Sequence, residues 1–507
     1  MKRNLFVIIF LLLIWFNTTA QLSVNYTLSF PALKEHTYRV SMEVSGLKTD
    51  SLVLVLPNWM PGYYQLMNYA GNVKNFVAGT TNNKNLRVTK NDKLSWKINT
   101  TGAKTIIAEY DIVTSREFVA NSYVDEERAY LIPGNSFMYI EGKPAVAPVV
   151  KINIPHNWQV ATGLKKIKNG VFKADDFDIL YDCPILMGNL EGIRDFKVRG
   201  INHRFIGYKT GNFDEALFAE NLQKIVMVAS DIIGEIPYEE YTFIPVGPGP
   251  GGIEHLNNTT FGFDGASLST RDGQLRMYAF LAHEYFHHYN VKRIRPVELG
   301  PFDYANGNRT TQLWISEGLT VYYEYLIVKR AGLADDNQLL NYFEGNINSF
   351  ENDPGREYQS LIESSYQTWE EGPFGKKPGA EDRSISYYEK GPLVGLLLDF
   401  EIRNATSNKH SLDDVMRRLY NVYYKEKQRG FTDAEFRYVC ETIAGKSLED
   451  FFRYIYTAED LDYNKYLAYA GLKVEEQHMN NKRQLKFVKI PDAGKLQQDI
   501  YNSWAGN

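Results

Sequence analysis

Between Phe280 and Asn290 the chain reads Phe-Leu-Ala-His-Glu-Tyr-Phe-His-His-Tyr-Asn, and no other stretch restricts the surrounding fold as tightly. His283 and His287 stand four residues apart with Glu284 beside the first. On a helix this spacing puts both imidazoles on one face, one turn apart, within reach of a single metal ion, and leaves Glu284 at the edge of the same site. The chain has only 9 histidines among 507 residues, so the pattern does not follow from histidine abundance. A hydrolytic zinc ion (Zn2+) there also needs a third protein ligand, an open position and a substrate groove.

Two nearby carboxylates compete for the third place. Glu298 lies in a loop between Pro296 and Gly300-Pro301, whereas Glu317 lies in the apolar run Leu313 to Tyr323, predicted as a helix from about Thr311. A carboxylate in so apolar a run needs a partner, and a metal ion supplies one, so Glu317 is selected. The position of Glu284 suits a general base that takes a proton from water and passes it to a leaving amine. His288 projects about 100° from His287 and reads as a polar neighbour. Glu324, seven residues after Glu317, shares its helical face and is read as a hydrogen-bond partner for a ligand histidine or as a plain surface glutamate.

A chain of 507 residues exceeds what one core usually supports, so several domains are expected. The net charge of -5 and pI near 6.1, with both signs interspersed, give no basic footprint for nucleic acid and no polybasic membrane patch. Residues 1–20 read as a secretory signal peptide cut after Ala20. The apolar run Leu5 to Phe16 is shorter than the roughly 20 residues of a spanning helix, so no stable membrane anchor is expected after cleavage. The protein is expected to be exported, periplasmic or secreted. Cys183 and Cys440 are read as buried apolar residues.

From 21 to 188 the pattern is β: Tyr38 to Val44 alternates, and Leu52 to Leu56 and Thr105 to Val113 read as strands. A sandwich or saddle-like sheet domain is expected, with Pro57 to Tyr64 as a core-plugging loop. Residues 189–330 begin with a strand pair near Phe196 to Lys209. A helix from Asp214 to Gly234 follows, with Leu217, Leu222, Ile225, Val226, Ala229 and Ile232 at helical spacing, and then a strand at Tyr241 to Val246. Gly247 to His255 is glycine-rich and on its own reads as a tight turn. The helix that carries the histidines is predicted from Gly273 to about Val291. Residues 331–470 read as helical, with a Gly/Pro-rich loop at 371–379, and 471–507 as a strand or two and a loose end.

His283-Glu-Tyr-Phe-His287, Asn290-Val-Lys-Arg-Ile-Arg-Pro296 and Trp314-Ile-Ser-Glu-Gly-Leu-Thr-Val-Tyr-Tyr323 resemble the glycyl aminopeptidase family of zinc metallopeptidases, whose members often carry a PDZ domain. Trp59-Met-Pro-Gly62, Tyr387 to Gly391 and Ser411 to Met416 extend the resemblance over roughly residues 25 to 472. It implies a multidomain α+β protein: a β-rich N-terminal domain, a thermolysin-like zinc peptidase domain and a helical C-terminal domain. Through the related gluzincin enzymes, the aminopeptidase N and leukotriene A4 hydrolase group, it also implies roles for two further elements. Gly251, Gly252, Glu254 and His255 resemble the exopeptidase motif, in which backbone groups align the peptide and the glutamate holds its α-ammonium. A charge-assisted bond of that kind contributes about 1.5 to 3 kcal/mol. Tyr388 matches the tyrosine that donates to the developing oxyanion, with Tyr387 competing by one residue.

The resemblance departs at two places. Only 37 residues follow Ala470, so a lost or remnant PDZ domain is expected. Ile185-Leu186 stands where relatives carry an acidic residue, which bears on how an α-amine is held. The reading is an exported zinc aminopeptidase acting on peptides with a free N-terminus, with a preference for Gly or Ala implied by the resemblance. A zinc endopeptidase and a non-catalytic peptide-binding protein of the same fold are the alternatives.

Overall fold

The computed structural model describes residues 21–155, 157–372, 381–479 and 482–507; the expected signal peptide and most of the loop at 371–379 lie outside them. Alternation builds the first sheet. Val24, Tyr26 and Leu28 from Ser23–Ala32 and Tyr38, Val40, Met42 and Val44 from Thr37–Ser45 are all buried, because successive side chains of a strand face opposite sides. These strands pair antiparallel at the centre of a seven-stranded sheet, with Thr105–Val113 and Val73–Thr80 on one side and Pro148–Ile152 running parallel on the other. Two four-stranded sheets complete the β-rich part. A short helix, α1 (Phe177–Tyr181), is capped by the Asp176 side chain. It ends at Asp182, just before the strand Ile185–Gly188.

The next part is a six-stranded sheet. Ile201–Gly207, Glu240–Pro245 and Asn258–Phe261 run parallel, and the short strand Gly252–Glu254 lies antiparallel at an edge. Helix α2 (Glu215–Ile233) is capped by Asp214 at one end and by left-handed Gly234, φ 106°, at the other. Leu222, Ile225, Val226, Ala229 and Ile232 are buried as expected, but Leu217 is exposed. It lies about 140° around the helix from Leu222, and its neighbour Phe218 takes the buried place. Helix α3 (Arg271–Phe286) follows, then α4 (Leu319–Arg330), α5 (Asp336–Glu351), α6 (Leu361–Glu371) and α7 (Tyr387–Ala405). No helix of the described residues is long and apolar enough to cross a membrane.

Two apolar cores organise the molecule. One fills the β-rich part. The other runs without a break from Ile193 through α3, α4 and α7 to Ala505. Cys183 and Cys440 are buried and unpaired.

The expected loose end is corrected. Leu472–Met479 and Lys482–Lys489 form a hairpin, and Lys495–Ala505 is a helix whose Trp504 is fully buried. Arg330 donates to the Trp504 carbonyl, Asn348 exchanges two hydrogen bonds with Leu485, and the Glu344 carboxylate accepts from the Phe487 amide. The segment packs because Ile500, Tyr501 and Trp504 recur at helical spacing, a pattern that its polar composition hides.

Candidate active site

Helix α3 ends at Phe286, five residues before the predicted end. His287 is its C-cap residue and keeps helical dihedrals, φ -59° and ψ -25°, so the one-turn relation to His283 survives. The two rings stand perpendicular with centroids 4.4 Å apart. Glu317 lies on a single π turn, Trp314–Gly318, rather than in the regular helix its apolar setting suggests. Gly318 faces Gly391 so closely that a Cβ on Gly318 would stand 2.7 Å from the Gly391 Cα. Both must be glycine for α7 to bring Tyr388 against Glu317.

His283, His287 and Glu317 converge. The two Nε2 atoms are 2.9 Å apart, and Glu317 Oε2 lies 3.6 Å from His283 Nε2 and 3.2 Å from His287 Nε2. Donors bound to one tetrahedral zinc at about 2.0 to 2.1 Å would be separated by about 3.3 Å, so this donor set fits the ion. The outer nitrogens support the same assignment. His283 Nδ1 is 2.7 Å from Glu324 Oε2 and His287 Nδ1 is 2.7 Å from the Asn290 carbonyl. The Asn290 carbonyl and an ionised Glu324 both accept, so each Nδ1 carries the proton and each Nε2 offers its lone pair to the common point. Glu324 is thus the partner of a histidine and not a surface glutamate. Glu298 is exposed, and its carboxylate accepts from Thr310 and Gln312.

Glu284 is buried, and its Oε2 lies 3.4 Å from the Thr259 hydroxyl, which also has the Ile253 carbonyl at 3.1 Å. Burial pushes its carboxyl up to about 7, against the lowering pull of His283 and His287. The Glu317 carboxyl is also pushed up by burial, but the two imidazoles outweigh this and hold it well below the usual range. The two adjacent tyrosines are distinguished by geometry: the Tyr388 hydroxyl donates to Glu317 Oε2 at 2.9 Å, whereas that of Tyr387 pairs with Thr368 at 3.0 Å. Burial and the Glu317 charge raise the Tyr388 phenol well above its ordinary value, so it remains a donor. His288 is buried among Tyr238, Tyr241, Tyr285 and Tyr289, and desolvation keeps it neutral.

Gly251 and Gly252 bring the edge strand to this cluster. Glu254 on that strand is 4% exposed, and its Oε1 has no hydrogen-bond partner among the described residues. His255 is not among the metal-binding candidates and contacts Asp182, Nδ1 to Oδ1 at 3.3 Å.

Three residues here escaped the reading of the sequence. Asp182 accepts from the Leu256 amide at 2.7 Å and from Lys292 Nζ at 2.8 Å, and Lys292 Nζ lies 3.8 Å from Glu254 Oε1. Burial raises the Asp182 carboxyl, but Lys292 and His255 outweigh it and hold the group at about 2. Ile185 and Leu186 point into the β-rich core, so Asp182 is the acidic residue this segment brings to the site. Like Glu317, it is a carboxylate in an apolar run, and the same argument would have found it. The third, Tyr64, is buried with Trp59 and Met60 as a core-plugging loop requires, and has a polar contact besides. Its hydroxyl donates to Glu317 Oε1 at 3.4 Å. A cavity of about 730 Å³ beside Glu254 is lined by Trp59, Gly62, Tyr64, Asp182, Lys292 and Arg295, among others.

This fold and donor set define a zinc metallopeptidase, of the aminopeptidase kind. Residues 25–189 match the peptidase M61 N-terminal domain and residues 276–394 the M61 glycyl aminopeptidase domain, together more than half of the chain. The chain belongs to the M61 glycyl aminopeptidase family. Among solved structures it is similar to an aminopeptidase N family protein from Idiomarina loihiensis, at 26% identity and TM-score 0.84, over 90% of this chain and 79% of that one. An M1 zinc metallopeptidase from Deinococcus radiodurans shares the fold at 12% identity and TM-score 0.52, over 87% and 94%. A mutant of that enzyme bound to a Tyr-Ser-Ala substrate aligns at 14% identity and TM-score 0.53, over 87% and 94%. No curated protein matches the chain.

Proposed function

We propose that this protein removes single residues, glycine or alanine by preference, from the free N-terminus of peptides. His283, His287 and Glu317 would hold zinc, which when bound supplies Lewis acidity toward the scissile carbonyl and the attacking water. Glu284 Oε1, the oxygen left free by Thr259, accepts the proton of the water as its oxygen adds to the carbonyl carbon. Glu284 then delivers that proton to the amine nitrogen as the C–N bond breaks. The Tyr388 hydroxyl donates to the carbonyl oxygen as charge develops there. Glu254 accepts from the α-ammonium, while Gly252, having no side chain, lets the edge strand lie against Glu284 and His255 braces the strand through Asp182.

The observation that carries this reading is Glu254, a buried carboxylate on the edge strand whose Oε1 has Lys292 Nζ at 3.8 Å but no hydrogen-bond partner among the described residues. The family description supports glycine, and alanine is added as the next smallest side chain. The composition of residues 1–20 supports export to a periplasm or the medium. Release of amino acids from a panel of free aminoacyl substrates, with and without chelator, tests the reading. Chelator-sensitive release, fastest for glycine and alanine, is expected. Zinc-replete protein that cleaves none of them would favour a non-catalytic peptide-binding role.

A further inference from the structure

The loop Pro57 to Tyr64 belongs to the N-terminal β-rich part, yet four of its residues reach the catalytic part. Asn58 donates its amide to the Tyr304 carbonyl at 2.8 Å, and Trp59 Nε1 donates to the Asp303 carbonyl at 2.7 Å. Gly62, at φ 92°, lies so close to Glu254 that a Cβ would stand 2.5 Å from its Oε2. Tyr64 is 6% exposed, packs edge-on against Trp369 with centroids 6.2 Å apart, and ends on Glu317 Oε1.

The two oxygens of Glu317 therefore have different partners. Oε2 faces both imidazoles and the Tyr388 hydroxyl, and Oε1 faces Tyr64. A carboxylate free to turn about its last torsion could offer either oxygen, or both, to an ion. A phenol that donates to Oε1 holds that oxygen away from the histidines. The loop cannot retreat without losing its hold on Asp303 and Tyr304.

We propose that Tyr64 is a positioning residue of the metal centre: its hydroxyl fixes Glu317 with Oε2 as the single ligand atom, so the metal site is complete only when the N-terminal part is docked. The inference rests on the metal reading given above. It links the ligand Glu317 and the anchor Glu254 through one loop.

The test uses full-length protein stripped of metal and two variants. Tyr64→Phe removes only the hydroxyl and keeps the ring against Trp369. Tyr69→Phe removes a buried hydroxyl of the same part that donates to the Ala120 carbonyl, away from the site. Zinc affinity is measured by competition with a chromophoric chelator, and the ligand field by the visible spectrum of the cobalt(II)-loaded protein. Tyr64→Phe should weaken zinc binding about tenfold and shift the cobalt bands, and Tyr69→Phe should do neither. Zinc affinity and cobalt bands in Tyr64→Phe equal to those of the unaltered protein would overturn the proposal, as would equal weakening in both variants. Unaltered protein that takes up no zinc at all would overturn the metal reading itself, which is a separate failure.

Discussion

Gly252 lies against the carboxylate of Glu284: a Cβ at Gly252 would stand 2.4 Å from Glu284 Oε1. Thr259 contacts the other oxygen, so the strand proposed to align the peptide would also set where the proton is taken. Gly252→Ala must push Glu284 out of place. A displacement of about 1 Å can cost on the order of 100-fold in rate. We expect kcat to fall by about that factor while zinc content, measured by atomic absorption, stays at the level of the unaltered protein.

Glu284→Gln keeps the size of the side chain and removes the base. The three metal-binding candidates are untouched, so the variant should hold zinc and lose about 100- to 10,000-fold in turnover. Steady-state kinetics on zinc-replete protein checks this, and unchanged turnover would remove the general-base role.

Glu324 fixes the tautomer and the direction of the His283 ring. Glu324→Ala should therefore weaken zinc binding by about 10- to 100-fold. Chelator titration of activity should show a matching shift in the concentration that inactivates the enzyme.

The Asp182–Lys292 pair makes a pH prediction. Asp182 is held at about 2 in the folded protein against an ordinary 3.8. A carboxylate depressed in this way contributes stability that is fully present above about 3.8 and is lost as pH falls through about 2. The shift corresponds to roughly 2 kcal/mol. Asp182→Asn should flatten the dependence of unfolding free energy on pH in that window. At neutral pH it should cost about 3 kcal/mol, because Lys292 is left buried with only Glu254 at 3.8 Å. Denaturant titrations at several pH values give both quantities.

Trp504 is fully buried against Phe343 and Phe400, with ring centroids 5.9 and 5.1 Å away. Trp504→Ala should destabilise the protein by about 3 to 5 kcal/mol, read as a lowered midpoint in urea. A disordered tail would give no change.

Much of this was legible in the sequence, for physical reasons. Two histidines one turn apart state their geometry directly, and a lone carboxylate in an apolar run such as Glu317 requires a partner wherever the run folds. Alternation gave the β-rich part, and Asp214 and Gly234 marked the ends of α2. The rest depended on long-range approach. Nothing local says that the Tyr64 hydroxyl will meet a glutamate 253 positions away. Nor does anything local say that Gly318 and Gly391 will touch, or that a polar C-terminal segment will bury Trp504. The π turn around Glu317 is a consequence of packing, which spacing rules cannot anticipate.

Glu254 is the residue that would make this site an exopeptidase. The most direct measurement compares hydrolysis of a peptide with a free N-terminal glycine and of the same peptide N-acetylated, by the unaltered protein and by Glu254→Ala. The unaltered protein should cleave only the free-amine peptide, and Glu254→Ala should lose about 1.5 to 3 kcal/mol of kcat/KM toward it. Equal rates on the free and acetylated peptides would contradict the account.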